Sequence, residues 1–399
     1  MEPKVKFKGF EGEWSKVKLC SISKKVTTRN MDMKYTTTLT NSAEHGIIDQ
    51  LAFFDHQVSN NDNISGYYVV ENGDFVYNPR ISALAPVGPI NQSQIGYTGV
   101  MSPLYYVFRV DGVDTDYLSY YFKTTLWHQY LKDVGNSGAR FDRLAITDGD
   151  FQEMPISLPT NREEQHAIAS YFRTLDAKLQ ASAKKVESLK KLKSASLVAM
   201  FPQQGETTPK VRFKGFEGEW STNNLGSIFA ERIESNENGE MLSVTMNNGI
   251  IRSSDNGRFD NSNSDKSKYK VVKIGDIAYN SMRMWQGASG VSQYEGIVSP
   301  AYTVVTPSVD VDTDFFGYLF KTDDVIRLFK LNSQGLTSDN WNLKYPAFSR
   351  ICVSYPESKE EQQAIASFFR SLDRKIALET ARLEKLKQIK LACLDKMFV

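Results

Sequence analysis

The stretch EEQHAIASYFRTLDAKL at residues 163–179 returns as EEQQAIASFFRSLDRKI at 360–376. Its apolar positions Ile168, Phe172, Leu175 and Leu179, continued by Val186 and Leu189, step by threes, fours and sevens, the spacing of one stripe along a helix. The copy places Ile365, Phe369, Leu372, Ile376, Leu383 and Leu386 at the matching positions, and Ser182 and Glu379 interrupt the two seams at the same point. Pro159 and Pro356 precede the segments and Pro202 follows the first, as expected of a residue that lacks the amide a helix interior needs. The spacing predicts helices over 163–201 and 360–399, each about 58 Å long at about 1.5 Å per residue. A long helix with a single apolar stripe needs a partner stripe, and the nearest is its own copy. The order domain, helix, domain, helix makes an antiparallel pair the expected topology; the other reading packs each helix only on its own domain. A helix paired with an identical copy of itself would bring Lys190, Lys191 and Lys193 together, where they are expected to repel.

Outward from the helices the duplication continues. PKVKFKGFEGEWS at 3–15 recurs as PKVRFKGFEGEWS at 209–221, and Phe7, Phe10 and Trp14, with Phe213, Phe216 and Trp220, read as packing residues at a domain entry. GDFVYN at 73–78 matches GDIAYN at 275–280, and YYFKT at 120–124 matches YLFKT at 318–322. The remainder diverges, as it would if one scaffold held two different binding surfaces, or after simple drift. Short β-like runs at 105–110, 302–306 and 351–355 accompany expected helices over 114–132 and 312–331. The fold class is therefore mixed α/β (α+β), with a pseudo-two-fold internal repeat.

At 399 residues the chain is long enough for two cores, and 41% apolar with 24% charged residues is a globular balance. The charged start MEPKVKFKGF and the lack of a long apolar run predict a cytoplasmic protein. Cys20, Cys352 and Cys393 show no paired spacing and fit small core residues; no metal site is expected from them or from the four scattered histidines. Net charge is +1, and both large segments are mildly acidic: 15 basic against 18 acidic residues over 1–160, and 17 against 19 over 202–359. Composition alone argues against a polyelectrolyte partner.

Catalytic patterns are missing too. There is no phosphate-binding GxxxxGK[ST] loop and no GxSxG elbow. Asn78-Pro79-Arg80 only approaches the Asn-Pro-Pro-aromatic loop of a DNA methyltransferase. No catalytic residues are assigned.

The duplicated KFKGFEGEWS entries, GDFVYNPRISALAPVGPI at 73–90, SMRMWQGASGVS at 281–292 and the EEQxAIASxFRxLD helix starts together resemble the specificity subunits of type I restriction–modification systems, over essentially the whole chain. The resemblance implies target recognition domains at 1–160 and 209–358, spacer helices at 161–201 and 359–399 that form an antiparallel coiled coil, and a linker at 202–208. It implies a non-catalytic subunit that binds a bipartite duplex DNA target and directs adenine methylation and restriction by partner methylation and restriction subunits. The helices would act as ruler and docking surface. No cofactor is expected in this chain; S-adenosylmethionine, ATP and Mg belong to the partners. The competing readings are a stand-alone DNA modification or restriction enzyme with an unrecognised active site, and a scaffold that does not bind DNA.

Candidate DNA-binding residues follow from donor chemistry on loops. In the first domain these are Arg80, Ser82, Asn91, Gln92 and Gln94, then Asn136, Ser137, Arg140 and Arg143. In the second they are Asn280, Ser281, Arg283, Trp285 and Gln286, then Ser333, Gln334, Ser338, Asn340 and Lys344. Arg suits guanine, and Asn or Gln suits adenine, through paired hydrogen bonds; the same groups also serve phosphates. Met284 and Trp285 are equally suited to packing.

Overall fold

The computed structural model describes residues 2–53, 61–136, 142–246, 248–256, 265–337 and 340–399. The chain divides into two compact units, one of residues 1–182 with 382–399 and one of residues 183–381. Each contains a four-stranded antiparallel sheet. In the first unit its order is Ser23–Lys25, Tyr106–Val110, Phe75–Tyr77, Ile90–Gln92; in the second it is Phe229–Glu231, Tyr302–Pro307, Ile277–Asn280, Ser289–Val291. Among the described residues, each unit also has three two-stranded ribbons, including Ser15–Lys18 with Pro155–Leu158 and its copy Ser221–Asn224 with Cys352–Tyr355.

The repeated GDxxYN motif builds the third strand of each sheet. Gly73 and Gly275 adopt φ of 96° and 87°, a conformation that favours glycine. Asp74 and Asp276, 1% and 2% exposed, each accept a backbone amide at 2.8 Å, from Glu71 and Lys273. They also accept paired hydrogen bonds from Arg109 and Arg232. A buried carboxylate needs this many donors to offset its lost hydration. The strand's alternate residues then enter two cores: Phe75 and Tyr77 join the larger core of the first unit, while Val76 joins a smaller one. Ile277 and Tyr279, with Ala278, divide in the same way in the second unit.

The long helices run Arg162–Met200 and Lys359–Met397, 39 residues each. Within the first unit, Tyr171 Oη lies 3.3 Å from Cys393 Sγ and Lys390 donates to Asp176, so residue numbers rise on one helix as they fall on the other. Within the second unit, Lys185 meets Glu379 at 3.0 Å and Lys193 meets Asp373 at 2.5 Å, again antiparallel. Ile168, Phe172, Leu175 and Val186 are buried, as are Ile365, Phe369 and Leu372; Leu179, Leu189, Ile376, Leu383 and Leu386 are half-buried. The polar interruptions Ser182 and Glu379 are buried as well. Each unit's core is closed by the residue pair that ends a long helix. Phe398 sits 5.3 Å from Tyr117 and 5.8 Å from Phe172, and Phe201 sits 5.5 Å from Phe315 and 5.9 Å from Phe369, centroid to centroid.

Two sequence expectations need correction. The helices expected over 114–132 and 312–331 are each two, Thr115–Tyr121 with His128–Val134 and Thr313–Leu319 with Asp323–Asn332. Thr124 and Thr322 end the first of each pair by returning their hydroxyls to the carbonyls of Tyr121 and Leu319, at 2.7 and 2.8 Å. Two of the three cysteines are not small core residues, because Cys20 and Cys352 are exposed; Cys393 is half-buried and packs against the core of the first unit. In the full chain Lys193 pairs with Asp373, the counterpart of Asp176.

Candidate nucleic-acid interface

The strand of the GDxxYN motif delivers the chain to a turn in both units. Asn78 Oδ1 accepts the Arg80 amide at 3.0 Å and Asn280 Oδ1 accepts the Met282 amide at 3.0 Å, a side-chain turn that bends the chain off the sheet. A second loop, after His128–Val134 in one unit and after Asp323–Asn332 in the other, is pinned against this turn by backbone bonds. Leu144 N donates to Pro79 O at 2.9 Å and Leu343 N donates to Ser281 O at 2.8 Å. The second loop is closed on itself in each case, by paired amide bonds between Asn136 and Ala145 and between Gln334 and Asn342.

In the first unit this brings together two clusters that the sequence keeps far apart. Arg80 pairs with Arg143 across a β-bridge, and Arg80 Nε lies 3.8 Å from an Asp142 carboxylate oxygen. Arg80 and Asn136 are exposed and Arg143 is half-buried. Ser82 Oγ accepts the Ala85 amide at 3.1 Å, which shapes the turn. Asn91 is a brace: its Nδ2 donates to Asn41 Oδ1 at 2.7 Å and to Ser42 O at 3.3 Å. Gln92 pairs with Phe75, at the end of the strand opposite to Arg80, and Gln94, bonded to Gln92 at 3.2 Å, lines a separate cleft with Asp116, Arg173 and Asp176. Ser137 and Arg140 lie outside the described residues.

In the second unit Arg283 is exposed and Gln286 half-buried, with Arg283 Nη1 3.5 Å from Gln286 Oε1. The half-buried Trp285 donates its indole N–H to Met282 O at 3.0 Å, and its ring meets Trp341 edge-on at 5.2 Å. Met284 is fully buried. Ser281 is buried against Thr303, hydroxyl to hydroxyl at 2.8 Å, and Ser333 Oγ donates to Phe329 O at 2.7 Å, so both are internal supports. Gln334, Asn340 and Lys344 are exposed on the second loop, and Lys344 lines a cleft of about 440 Å³ with Met282 and Asn342. Ser338 lies outside the described residues.

Sequence reasoning passed over Trp341 and Lys330, whose ammonium lies 5.5 Å from the Trp341 ring centroid. The tryptophan in NWN at 340–342 was the available signal. It also passed over Lys321, which donates to the carbonyls of Gly287, Ser289 (2.9 Å) and Met246 (3.4 Å). Burial pushes the Lys321 ammonium down to about 8, and the charge of Lys193 adds to the shift. Among the described residues no group of three or more His, Cys, Asp or Glu side chains could hold a metal ion, and no helix is long and apolar enough to cross a membrane.

A duplicated frame that twice presents arginine and amide groups on two mutually pinned loops, with Trp285 and Trp341 added in the second unit, suits contacts to phosphates and base edges. The chain belongs to the family described as the type I restriction modification DNA specificity domain, whose model matches residues 13–191 and 218–388. Over 136 residues it is 26% identical to the specificity subunit of the type I restriction enzyme HindI of Haemophilus influenzae; that match covers 33% of this chain and 29% of the relative. In fold it is similar to the crystal structure of a type I restriction–modification S subunit from M. genitalium, with TM-score 0.56 and 17% identity over 100% of this chain and 99% of that one. A second solved structure, described as bearing on complex assembly and conformational transition of the type I R-M system, aligns with TM-score 0.51 and 16% identity over 97% and 98% of the two chains.

Proposed function

We propose that this chain is the DNA-reading subunit of a type I restriction–modification complex, each unit reading one half of a split duplex target. Adenine methylation and restriction are then carried out by separate methylation and restriction subunits, which hold S-adenosylmethionine, ATP and Mg. The observation that carries this reading is the pinned loop pair, built twice on one frame with different side chains: Arg80 and Arg143 in the first unit, Arg283, Trp285 and Trp341 in the second. A shared frame with divergent loops is what two different half-sites require. Phosphate contacts orient such loops, and base-edge contacts from arginine and amide groups supply sequence preference.

The test uses labelled S-adenosylmethionine with duplex DNA. This chain alone is expected to transfer no methyl group, methylation subunits alone to show no sequence preference, and the two together to methylate adenine at one split sequence. Methyl transfer by the purified chain alone would make it an enzyme and refute the assignment.

A further inference from the structure

Lys321 stands at the junction between Thr313–Leu319 and Asp323–Asn332, a place fixed from both sides. Its own amide bonds to Tyr318 O at 2.9 Å, Thr322 N bonds to Leu319 O at 3.1 Å, and the neighbouring Phe320 ring is fully buried. From there the side chain runs to the segment that carries Arg283 and Trp285. Its ammonium spends its three donors on carbonyls: Gly287 O, Ser289 O at 2.9 Å and, from the Leu242–Thr245/Gly249–Arg252 hairpin, Met246 O at 3.4 Å. Gly287 has φ of 78°, and a Cβ there would come within 3.2 Å of Ile326 and 3.8 Å of the Lys321 stem. The positive φ favours glycine at this position, while the Lys321 stem would meet a Cβ at ordinary contact distance.

We propose that Lys321 is a positioning residue for base reading by the second unit: it fixes the backbone of residues 281–289 and, through it, the aim of Arg283 and Trp285. Among the described residues, the other bonds accepted by backbone carbonyls of this segment come from neutral groups. Asn280 N bonds to Ala288 O at 2.9 Å, Leu343 N to Ser281 O at 2.8 Å, and Trp285 Nε1 to Met282 O at 3.0 Å. The ammonium bonds are charge-assisted and so are the strongest of the set. They also place a positive charge beneath a loop that the DNA-reading assignment brings close to phosphates. Among the described residues the first unit shows no such arrangement. Lys123 holds the matching place in YYFKT, but its ammonium lies over the Tyr120 ring at 4.5 Å.

The inference rests on the DNA-reading assignment, and two readouts on Lys321→Met in the full chain separate the two claims. Amide hydrogen exchange tests the clamp without DNA: residues 281–289 are expected to exchange roughly tenfold faster, with residues 73–93 unchanged. Methylated adenines mapped with the assembled complex test the consequence: preference at the half-site of the second unit is expected to fall roughly tenfold, with the other half-site intact. Unchanged exchange at 281–289 overturns the clamp, and so does faster exchange across both units, which marks a general loss of stability. Faster exchange at 281–289 with both half-site preferences intact overturns the positioning role. Wild-type complexes that methylate without sequence preference would defeat the DNA-reading assignment itself, an outcome distinct from these. Lys321→Arg, which keeps the charge but not the compact ammonium geometry, is expected to fall between wild type and Lys321→Met in both measurements.

Discussion

Asp373 accepts the ammonium of Lys193 at 2.5 Å while its other oxygen accepts the Tyr318 hydroxyl at 2.9 Å. One carboxylate thus ties a long helix both to its antiparallel neighbour and to the globular part of the unit. The trio recurs in the first unit as Asp176, Lys390 and Tyr120, with the tyrosine bond at 3.0 Å. Asp373→Ala is expected to cost about 1–2 kcal/mol, chiefly through the tyrosine hydroxyl left without its acceptor, because the ion pair is partly exposed and contributes little by itself. Asp373→Asn keeps an acceptor for Tyr318 and is expected to cost less than about 1 kcal/mol. Urea denaturation of the two variants checks the order.

The same recurrence bears on the half-chain. In a fragment of residues 1–204, Lys193 of one copy can take Asp176 of a second copy, as it takes Asp373 in the full chain. Met200 and Phe201 can likewise replace Met397 and Phe398 in the core of the first unit. The fragment is expected to dimerise and, with methylation subunits, to direct modification to an interrupted palindrome, since a two-fold dimer reads the same half-site on opposite strands. Phe201→Ala in the fragment should abolish dimerisation, as loss of a buried phenylalanine costs about 3–5 kcal/mol. Modification at the target of the full-length chain, or at a non-palindromic sequence, would refute the exchange.

Much of this was legible in the sequence, for identifiable reasons. The helices predicted over 163–201 and 360–399 are observed at Arg162–Met200 and Lys359–Met397 because a stripe of period three and four is a local signal. The candidate interface was less so. That Arg80 meets Arg143 depends on pairing between distant segments, which no local pattern encodes. Asn91 and Ser281 look like donors for DNA in a list of loop polars, yet one braces Asn41 and the other is buried against Thr303. Asn280 contributes its side-chain oxygen to the turn that launches the loop. The breaks at Thr124 and Thr322 were hidden because a threonine inside an apolar pattern does not announce that its hydroxyl will satisfy a carbonyl three residues back.

Arg283 is the exposed arginine nearest the turn in the second unit. Arg283→Ala is expected to cost about 1–3 kcal/mol of discrimination at one position of one half-site. Arg80→Ala should act in the same way on the other half-site only. Binding to a panel of single-base variants of the target distinguishes this from a phosphate contact, which would weaken every sequence equally.

Both large segments carry a small acidic excess, 15 basic against 18 acidic residues over 1–160 and 17 against 19 over 202–359. The isolated chain is therefore expected to bind DNA weakly, with methylation subunits supplying much of the phosphate contact. Since each neutralised phosphate releases counterions, the dependence of log affinity on log salt should steepen on assembly. Equal slopes for chain and complex would contradict this.

Raising the pH offers a test of Lys321 without mutation. Its folded value of about 8 lies below the ordinary 10.5, so the ammonium is lost as the pH passes through about 8. Across the window between those values the unfolded chain holds the proton and the folded chain does not, so the contribution of this group to stability rises with pH, and an opening that frees Lys321 to water becomes rarer. From pH 7 to 9, amide exchange at 281–289, corrected for base catalysis, should therefore slow relative to that at 73–93.

Under the proposed function, this chain alone determines which split sequence is modified. The most direct measurement is a genome-wide map of methylated adenines in cells expressing the methylation subunit with and without it. The expected result is one motif of two specific halves separated by a fixed run of unspecified bases, present only with the chain. A contiguous motif, or a pattern that is the same without the chain, would contradict it.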